Sequence, residues 1–178
     1  MLPVDPAVAD NAAGGPLWFP REYQGAARHD NPAAYGCLYV AEGPVSAVAE
    51  ALAPFRGRGA LTASMLERAG RRLSLLALDL REPAGLLDLD EPQTLAAEGL
   101  RPSRVATRVR ASTQRDALAL FETHRRATGL RWWSTIEASW INITLFDRAR
   151  RRLRMRSVEL LSPDHEVVRD AASELGLA

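Results

Sequence analysis

Three histidines and one cysteine are the side chains of this sequence that most readily bind metals or act as nucleophiles. His29, His124 and His165 lie far apart on different predicted elements, so no metal site is expected from them. Cys37 has no identifiable partner base, and a small buried side chain is the favoured interpretation. No P-loop, dinucleotide glycine fingerprint, His-Glu-x-x-His motif or nucleophile elbow occurs. Several common enzyme classes are therefore disfavoured.

Arginine is the residue type best placed to bind an anion, because it supplies all 23 cationic side chains of the 178-residue chain. These oppose 22 carboxylates, and a net charge of +1 gives no broad field that would draw the chain to nucleic acid or a membrane. Any anion must then be bound locally. Arg28 lies in an irregular loop after Gly25, and a guanidinium can hold a pyrophosphate with two parallel hydrogen bonds. The competing interpretation of Arg28 is an exposed or carboxylate-paired side chain.

Apolar residues at helical spacing predict five helices that would position these side chains. In the second, Thr62 is the expected N-cap and Gly70 the stop. In the longest, Thr113 and Asp116 resemble a capping box, and Gly129 is the expected terminator. The predicted helices cover residues 44–53, 62–69, 92–97, 113–128 and 164–175.

Alternating or continuous apolar runs predict five strands. Residues 72–80 are apolar on both faces, which indicates a buried strand. The predicted strands are 38–41, 72–80, 130–133, 140–146 and 150–161, the last with a solvated arginine face. Because helices cluster between groups of strands, the pattern predicts an α+β fold. We expect one domain at residues 15–178 after a flexible arm at 1–14.

Several short motifs follow one another in an order that is more specific than any single motif. They are GAARHDNP at 25–32, YGCLYVA at 35–41, AVAE at 47–50, TQ at 113–114, GLRWWS at 129–134 and WINITLF at 140–146. Together, over about residues 15–160, they resemble the RES domain, a family named after an arginine, a glutamate and a serine. The matching positions in this sequence are Arg28, Glu50 and Ser134.

This resemblance implies a fold similar to that of ADP-ribosyltransferases, with mixed and antiparallel sheets and flanking helices. RES proteins are known as toxins of bacterial toxin–antitoxin pairs that degrade NAD⁺ by phosphorolysis or hydrolysis, and their usual partner is an Xre-like antitoxin. Trp132 stands where family members commonly have tyrosine, and Trp133 adds further bulk. The two tryptophans either reshape the pocket or only repack it.

The resemblance also implies a role for each site residue. The carboxylate of Glu50, placed under the ribose, would stabilise the positive charge that develops as the bond to nicotinamide breaks. Arg28 would hold the pyrophosphate, Tyr39 would stack on a base, and Ser134 would bind the ribose or orient Glu50. Trp132 is expected to contact the substrate too. A solvated glutamate, a core tyrosine and a strand-end serine are the structural alternatives.

The expected reaction needs no metal and no cofactor, since NAD⁺ is the substrate and phosphate or water attacks the ribose. One rival function is ADP-ribosyl transfer to a protein, and another is an inactive module that only binds a partner. The single cysteine and the absence of an apolar run of about 20 residues or of a signal-peptide pattern predict a cytoplasmic protein. Homo-oligomerisation is left open, and neither nucleic acid nor a membrane is expected as a direct partner.

Overall fold

Residues 8–81 and 85–177 are described by a computed structural model, and they divide into two units. The first unit combines the described residues up to Trp18 with Ala41–Asp79 and the chain from Leu153 onward. The second combines Phe19–Val40 with Leu80–Arg152. Arg28, Tyr39, Trp132 and Ser134 belong to the second unit, whereas Glu50 belongs to the first.

Helices and strands of both units follow one another along the chain as a mixed series, which confirms the α+β prediction. The helices are α1 (Pro44–Leu52), α2 (Pro92–Ala97), α3 (Pro102–Val105), α4 (Arg110–Thr123) and α5 (Glu166–Glu174). The strands are β1 (Cys37–Ala41), β2 (Glu67–Arg68), β3 (Arg71–Arg72), β4 (Ser74–Leu80), β5 (Leu86–Asp88), β6 (Gly129–Trp133), β7 (Ile141–Phe146) and β8 (Leu153–Leu160). Short 3₁₀ helices cover Arg21–Tyr23, Ala53–Phe55, Ala63–Leu66 and Asp147–Arg152.

The second unit is built on a four-stranded sheet in the order β1-β7-β6-β5. Strand β5 runs parallel to β6, with Asp88 opposite Arg131. Strands β6 and β7 are antiparallel, with Trp132 opposite Asn142 and Leu130 opposite Thr144. Because side chains alternate along a strand, Leu130, Trp132 and Ser134 follow one face of β6 and its extension. All three are buried, so the sheet carries the motif residues Trp132 and Ser134 on its covered side.

A single apolar cluster packs on this sheet and includes residues from the loop before β1 and from α2, α3 and α4. Tyr35 is completely buried, and its ring contacts Phe121 and Phe146 at centroid distances of 4.3 and 4.7 Å. The fully buried cluster members are Tyr35, Cys37, Leu89, Leu95, Val105, Ala117, Leu120, Leu130, Trp132 and Phe146. The loop before β1, which carries Arg28, is thus anchored by Tyr35.

Gly129, expected to terminate a helix, instead opens β6. A Cβ atom at this position would lie 2.3 Å from the carbonyl oxygen of Thr144 on β7, a distance that no side chain tolerates. The helix ends earlier, at Thr123, and residues 124–128 form the connection. Glycine is therefore required here by the close approach of β6 and β7.

The side chain of Gln24 binds the edge strand β1. Its amide oxygen accepts a hydrogen bond from the Cys37 backbone nitrogen at 2.7 Å. Its amide nitrogen donates to the carbonyls of Cys37 and Phe19 at 3.0 and 3.2 Å. Gln24 therefore pairs with Cys37 as the backbone of a neighbouring strand would.

The first unit packs α1 against α5 and pairs β4 with β8. Val48 and Leu52 on α1, and Val168 and Ala171 on α5, are fully buried, as their helical spacing indicates. The prediction that residues 72–80 form a buried strand is wrong, since most of β4 is half-buried and Ala77 and Asp79 are exposed. Among the described residues β4 pairs with β8 alone, in a two-stranded sheet.

The predicted helix at 62–69 is also wrong, because this segment is a 3₁₀ helix at Ala63–Leu66 followed by the hairpin β2–β3. Thr62 makes no side-chain capping hydrogen bond. Gly70 is not a helix stop but the second residue of the hairpin turn, where Ala69 and Gly70 have φ values of 52° and 72°. Two consecutive residues with positive φ form the turn that suits a tight hairpin.

Helix α4 begins at Arg110, three residues before its predicted start, and the predicted capping box is wrong. The N-cap is Val109, which provides no side-chain cap. Thr113 donates from Oγ1 to the carbonyls of Arg28 and Arg110, at 2.5 and 3.1 Å. Asp116 forms an ion pair with Arg104. The two residues that looked like a cap therefore make tertiary contacts.

Two sequence expectations concern the chain as a whole. Of the arm predicted at 1–14, residues 1–7 lie outside the described residues, and residues 8–14 form turns in which Gly15 N–H donates to Ala12 O at 2.8 Å. Within the described ranges, no helix combines the length and the apolar character needed to cross a bilayer.

Candidate active site

The loop that carries Arg28 is held by the buried carboxylate of Asp30. One oxygen of Asp30 accepts hydrogen bonds from the backbone nitrogens of Gly25 and Ala27, at 2.8 and 2.9 Å. The other accepts from the hydroxyl of Tyr39 at 2.7 Å. A buried carboxylate with three donors is well satisfied, and it closes the loop into one conformation.

His29 is fixed at its backbone and at its ring. Its N–H donates to the Tyr39 hydroxyl at 2.9 Å, and its carbonyl accepts from the Tyr35 hydroxyl at 2.9 Å. Its ring Nδ1 lies 2.8 Å from Oγ1 of Thr144. Burial, and secondarily the charge of Arg28, lower the pKa of His29 to about 3. The imidazole is therefore neutral at physiological pH, and it adds no positive charge to the loop.

Tyr39 is half-buried, and its hydroxyl both donates to Asp30 and accepts from the His29 backbone. Burial raises the pKa of this hydroxyl above its usual range. The ring stacks on His29 at a centroid distance of 6.4 Å. These contacts give Tyr39 a structural task, holding the loop against β1, while the predicted stacking on a substrate base stays a prediction.

The side chain of Arg28 binds the end of α3 and the segment that follows it. Its Nη1 donates to the carbonyl oxygens of Val105 and Thr107, at 2.9 and 2.8 Å. Its guanidinium carbon lies 4.8 Å from the ring centroid of Trp132, a cation–π arrangement. The side chain is half-buried, so the cation is held on an aromatic surface and is not extended into solvent.

Trp132 is buried between Arg28 and His29. The His29 ring meets it edge to face, at a centroid distance of 5.2 Å and an interplanar angle of 78°. The indole Nε1 donates to Oγ1 of Thr144 at 3.1 Å. Since the ring supports Arg28, Trp132 is part of the framework that holds the Arg28 side chain.

Ser134 follows β6 and is buried. Its backbone nitrogen donates to the carbonyl of Trp140 at 2.7 Å, and its Oγ accepts from the backbone nitrogen of Ile136 at 3.0 Å. The residue thus shapes the turn between β6 and β7. Its predicted contact with a ribose stays a prediction.

Glu50 lies on α1 in the first unit and is half-buried near the end of that helix. The position at the edge of the apolar stripe, expected from the helical wheel, agrees with this intermediate burial, since the neighbouring Ala49 is fully buried. The structure therefore brings Arg28, Tyr39 and Trp132 into one network in the second unit. The part of Glu50 in the site stays a prediction.

Two residues of this network, His29 and Thr144, were missed by sequence reasoning. From the sequence, His29 was considered only as a metal ligand. For Thr144 the sequence did contain an indication, because Asn142 and Thr144 alternate along β7 with isoleucines. In the structure these two polar residues lie on the more deeply buried face of the strand. A polar residue on the buried face of a strand needs a partner, and here that partner is His29 together with Trp132.

Cys37 is buried, as predicted, and burial raises the pKa of its thiol to about 12. It is therefore a protonated core side chain.

His124 bonds to Glu98 at 2.8 Å, and His165 lies 3.4 Å from Glu159. Over residues 8–81 and 85–177, no three His, Cys, Asp or Glu side chains form a cluster suited to a metal ion.

A small cavity lies beside His29, between α4 and the sheet. Its volume of about 10 Å³ corresponds to roughly one water molecule, and apolar side chains such as Leu120 and Leu130 form much of its wall. The cavity is far too small for a dinucleotide, so it is not the substrate site.

Comparison with known families gives one match. The family model described as the RES domain matches residues 6–170, which covers nearly the whole chain and includes Arg28, Glu50 and Ser134. Comparison with curated proteins and comparison with solved structures found no match. On the strength of a match of this length, the chain belongs to the RES domain family.

Proposed function

We propose that this RES domain is an NAD⁺-degrading enzyme that cleaves the bond between nicotinamide and ribose. The observation that carries the proposal is the family match over residues 6–170, which spans all three residues that name the family. The Arg28 guanidinium, stacked on Trp132, supports it, since a fixed cation on an aromatic surface suits the diphosphate and rings of a dinucleotide.

In the proposed reaction, an oxygen of phosphate or water forms a bond to C1′ of the nicotinamide ribose. The bond from C1′ to the nicotinamide nitrogen breaks, and its electron pair stays on that nitrogen, so neutral nicotinamide leaves. Phosphate gives ADP-ribose 1-phosphate, and water gives ADP-ribose and a proton. The carboxylate of Glu50 would stabilise the positive charge on the ribose in the transition state, and Arg28 would hold the diphosphate.

The proposal includes a biological role. Loss of NAD⁺ would make the protein toxic to its own cell, so it would act in the cytoplasm as the toxin of a toxin–antitoxin pair. An Xre-like antitoxin would be its partner. Co-expression of such a partner should restore growth, whereas a Glu50→Gln chain should need no partner.

The test is release of nicotinamide from NAD⁺ by the purified chain, with and without phosphate. Glu50→Gln and Arg28→Ala should each abolish most of the release. The matched controls are Glu174→Gln on α5 and Arg115→Ala on α4, both at exposed positions, which should keep it. Dependence on phosphate separates phosphorolysis from hydrolysis. If the folded wild-type chain releases no nicotinamide with either acceptor, the proposal is contradicted and a role in binding alone is favoured. If a protein present in the reaction gains the mass of ADP-ribose, that protein is the acceptor and the chain is a transferase.

A further inference from the structure

Thr144 connects strand β7 to Arg28 through two rings. Its Oγ1 lies 2.8 Å from Nδ1 of His29 and 3.1 Å from Nε1 of Trp132. Trp132 in turn lies 4.8 Å below the guanidinium carbon of Arg28. The hydroxyl of Thr144 is thus at the base of a stack that ends at the cation.

Two ring nitrogens hydrogen-bond to the hydroxyl of Thr144. The indole N–H of Trp132 can only donate, so the Thr144 oxygen accepts from it. The direction of the bond to Nδ1 of His29 follows the tautomer of the imidazole, because the hydroxyl can either donate its proton or accept with its second lone pair. In both directions the two bonds define the orientation of the two rings.

We propose that Thr144 and His29 are positioning residues, which fix the plane of Trp132 and through it the orientation in which Arg28 binds the diphosphate of NAD⁺. This inference rests on the proposed function. Neither residue is assigned contact with the substrate, because Thr144 is completely buried and His29 is 4% exposed.

The burial of the network explains why one hydroxyl matters. Replacing Thr144 by valine keeps the shape of the side chain but leaves the indole N–H and His29 Nδ1 without their partner. Buried polar groups that lose a partner shift towards another one, so the indole ring should rotate. The Arg28 guanidinium, which stacks on that ring, should then shift with it.

The experiment compares Thr144→Val with Thr144→Ser, which restores the hydroxyl. Steady-state NAD⁺ cleavage should show a kcat/KM about 10- to 100-fold lower for the valine variant, as expected when a binding group is displaced by about 1 Å. The loss should be found mainly in KM, because a diphosphate contact acts equally in the ground state and the transition state. Thr144→Ser should stay within about threefold of the wild type.

Leu145→Val on the same strand serves as the control for lost stability. Leu145 is buried, so replacing it by valine removes one buried methylene and destabilises β7. The substitution leaves the hydrogen bonds of Thr144 with His29 and Trp132 in place. It should leave kcat/KM unchanged. Three results would overturn the proposal. The first is the same kcat/KM for Thr144→Val and Thr144→Ser, and the second is a loss in Thr144→Val that is confined to kcat. The third is a loss of kcat/KM in Leu145→Val as large as that in Thr144→Val.

A second readout separates failure of this inference from failure of the proposed function. If the wild-type chain cleaves no NAD⁺, the proposed function falls, and NAD⁺ affinity measured by calorimetry replaces KM. The positioning role is then supported if Thr144→Val binds NAD⁺ more weakly than the wild type and if its Trp132 indole proton exchanges faster with solvent. The exchange is followed by NMR, with the indole signal assigned from its absence in Trp132→Phe. Unchanged affinity, or no binding in any variant, overturns it.

Discussion

His29 shows how one side chain couples folding to pH. In the folded protein its pKa is lowered to about 3, while in the unfolded chain it is 6.5. Between these values the unfolded chain binds a proton that the folded chain does not. The free energy of unfolding therefore rises with pH through this window and is independent of His29 above about pH 7.

We predict that His29→Asn removes this part of the pH dependence. At pH 7 the variant is less stable than the wild type because the contact with Thr144 is altered, but the difference should shrink by ~2 kcal/mol on going from pH 7 to pH 5. Urea unfolding at pH 7, 6 and 5 measures it. A difference that stays constant over this range would mean that His29 titrates normally in the folded protein.

The sequence predicted individual residues well where the chemistry of one side chain was informative. It failed where the role of a residue depends on a contact with a residue far away in the sequence. Arg28 and Trp132 were both selected as candidate site residues, and they do contact each other. Thr113 was assigned to a helix cap, whereas its hydroxyl binds the carbonyl of Arg28, 85 residues earlier. A contact over that separation leaves no trace in local spacing.

Elements with a strong hydrophobic period were predicted well. Helix α1 and strands β6 and β7 occur within a residue or so of their predicted bounds. The hairpin β2–β3 was missed because Ala69 is an unusual residue for a turn with positive φ. The exposure of β4 was missed because the elements that pack on the faces of a strand are set by tertiary structure and not by the local apolar pattern.

At the hairpin, we predict that Ala69→Asn stabilises the protein. An L-residue at φ 52° is strained by roughly 1 kcal/mol, and asparagine followed by Gly70 is a favoured pair for this turn. The free energy of unfolding should rise by ~1 kcal/mol in urea titrations. The same substitution at Ala111, an exposed position in α4, should lower it slightly through helix propensity. No gain at Ala69 would argue against the strained turn.

At the junction of β6 and β7, we predict that Gly129→Ala is strongly destabilising. The added Cβ would lie 2.3 Å from the Thr144 carbonyl oxygen, so the two strands would have to separate. A cost of ~2 kcal/mol or more is expected in the free energy of unfolding. Gly43→Ala is the matched comparison, since its Cβ would lie 3.4 Å from Ser46 Oγ at an ordinary φ of −109°. Similar costs at the two glycines would contradict the close approach of the strands.

For the molecule as a whole, 23 arginines nearly balance 22 carboxylates. With a net charge of +1, long-range attraction of an anionic substrate is weak. The α+β class and the family were both accessible from the sequence. The assignment of Arg28 and Glu50 to different units was not accessible, because it depends on where the chain passes from one unit to the other. One of these boundaries, Val40–Ala41, lies between the two residues.

This charge balance predicts that kcat/KM for NAD⁺ depends little on ionic strength. Between about 50 and 300 mM NaCl the value should fall by less than about threefold, since only the local contact at Arg28 is screened. Initial rates at several salt concentrations test this. A much steeper fall would show that exposed arginines, such as Arg154 and Arg156 on β8, act together as a field.

The pairing of Gln24 with Cys37 has a consequence for the behaviour of the protein at high concentration. Strand β1 is an edge of its sheet, and an open edge is a template on which a second chain can add a strand and start aggregation or domain swapping. Because the Gln24 amide satisfies both the N–H and the carbonyl of Cys37, an incoming strand finds no hydrogen-bonding group at the start of this edge. One glutamine side chain thus protects the start of β1 from strand addition, at an edge where the described residues supply no neighbouring strand.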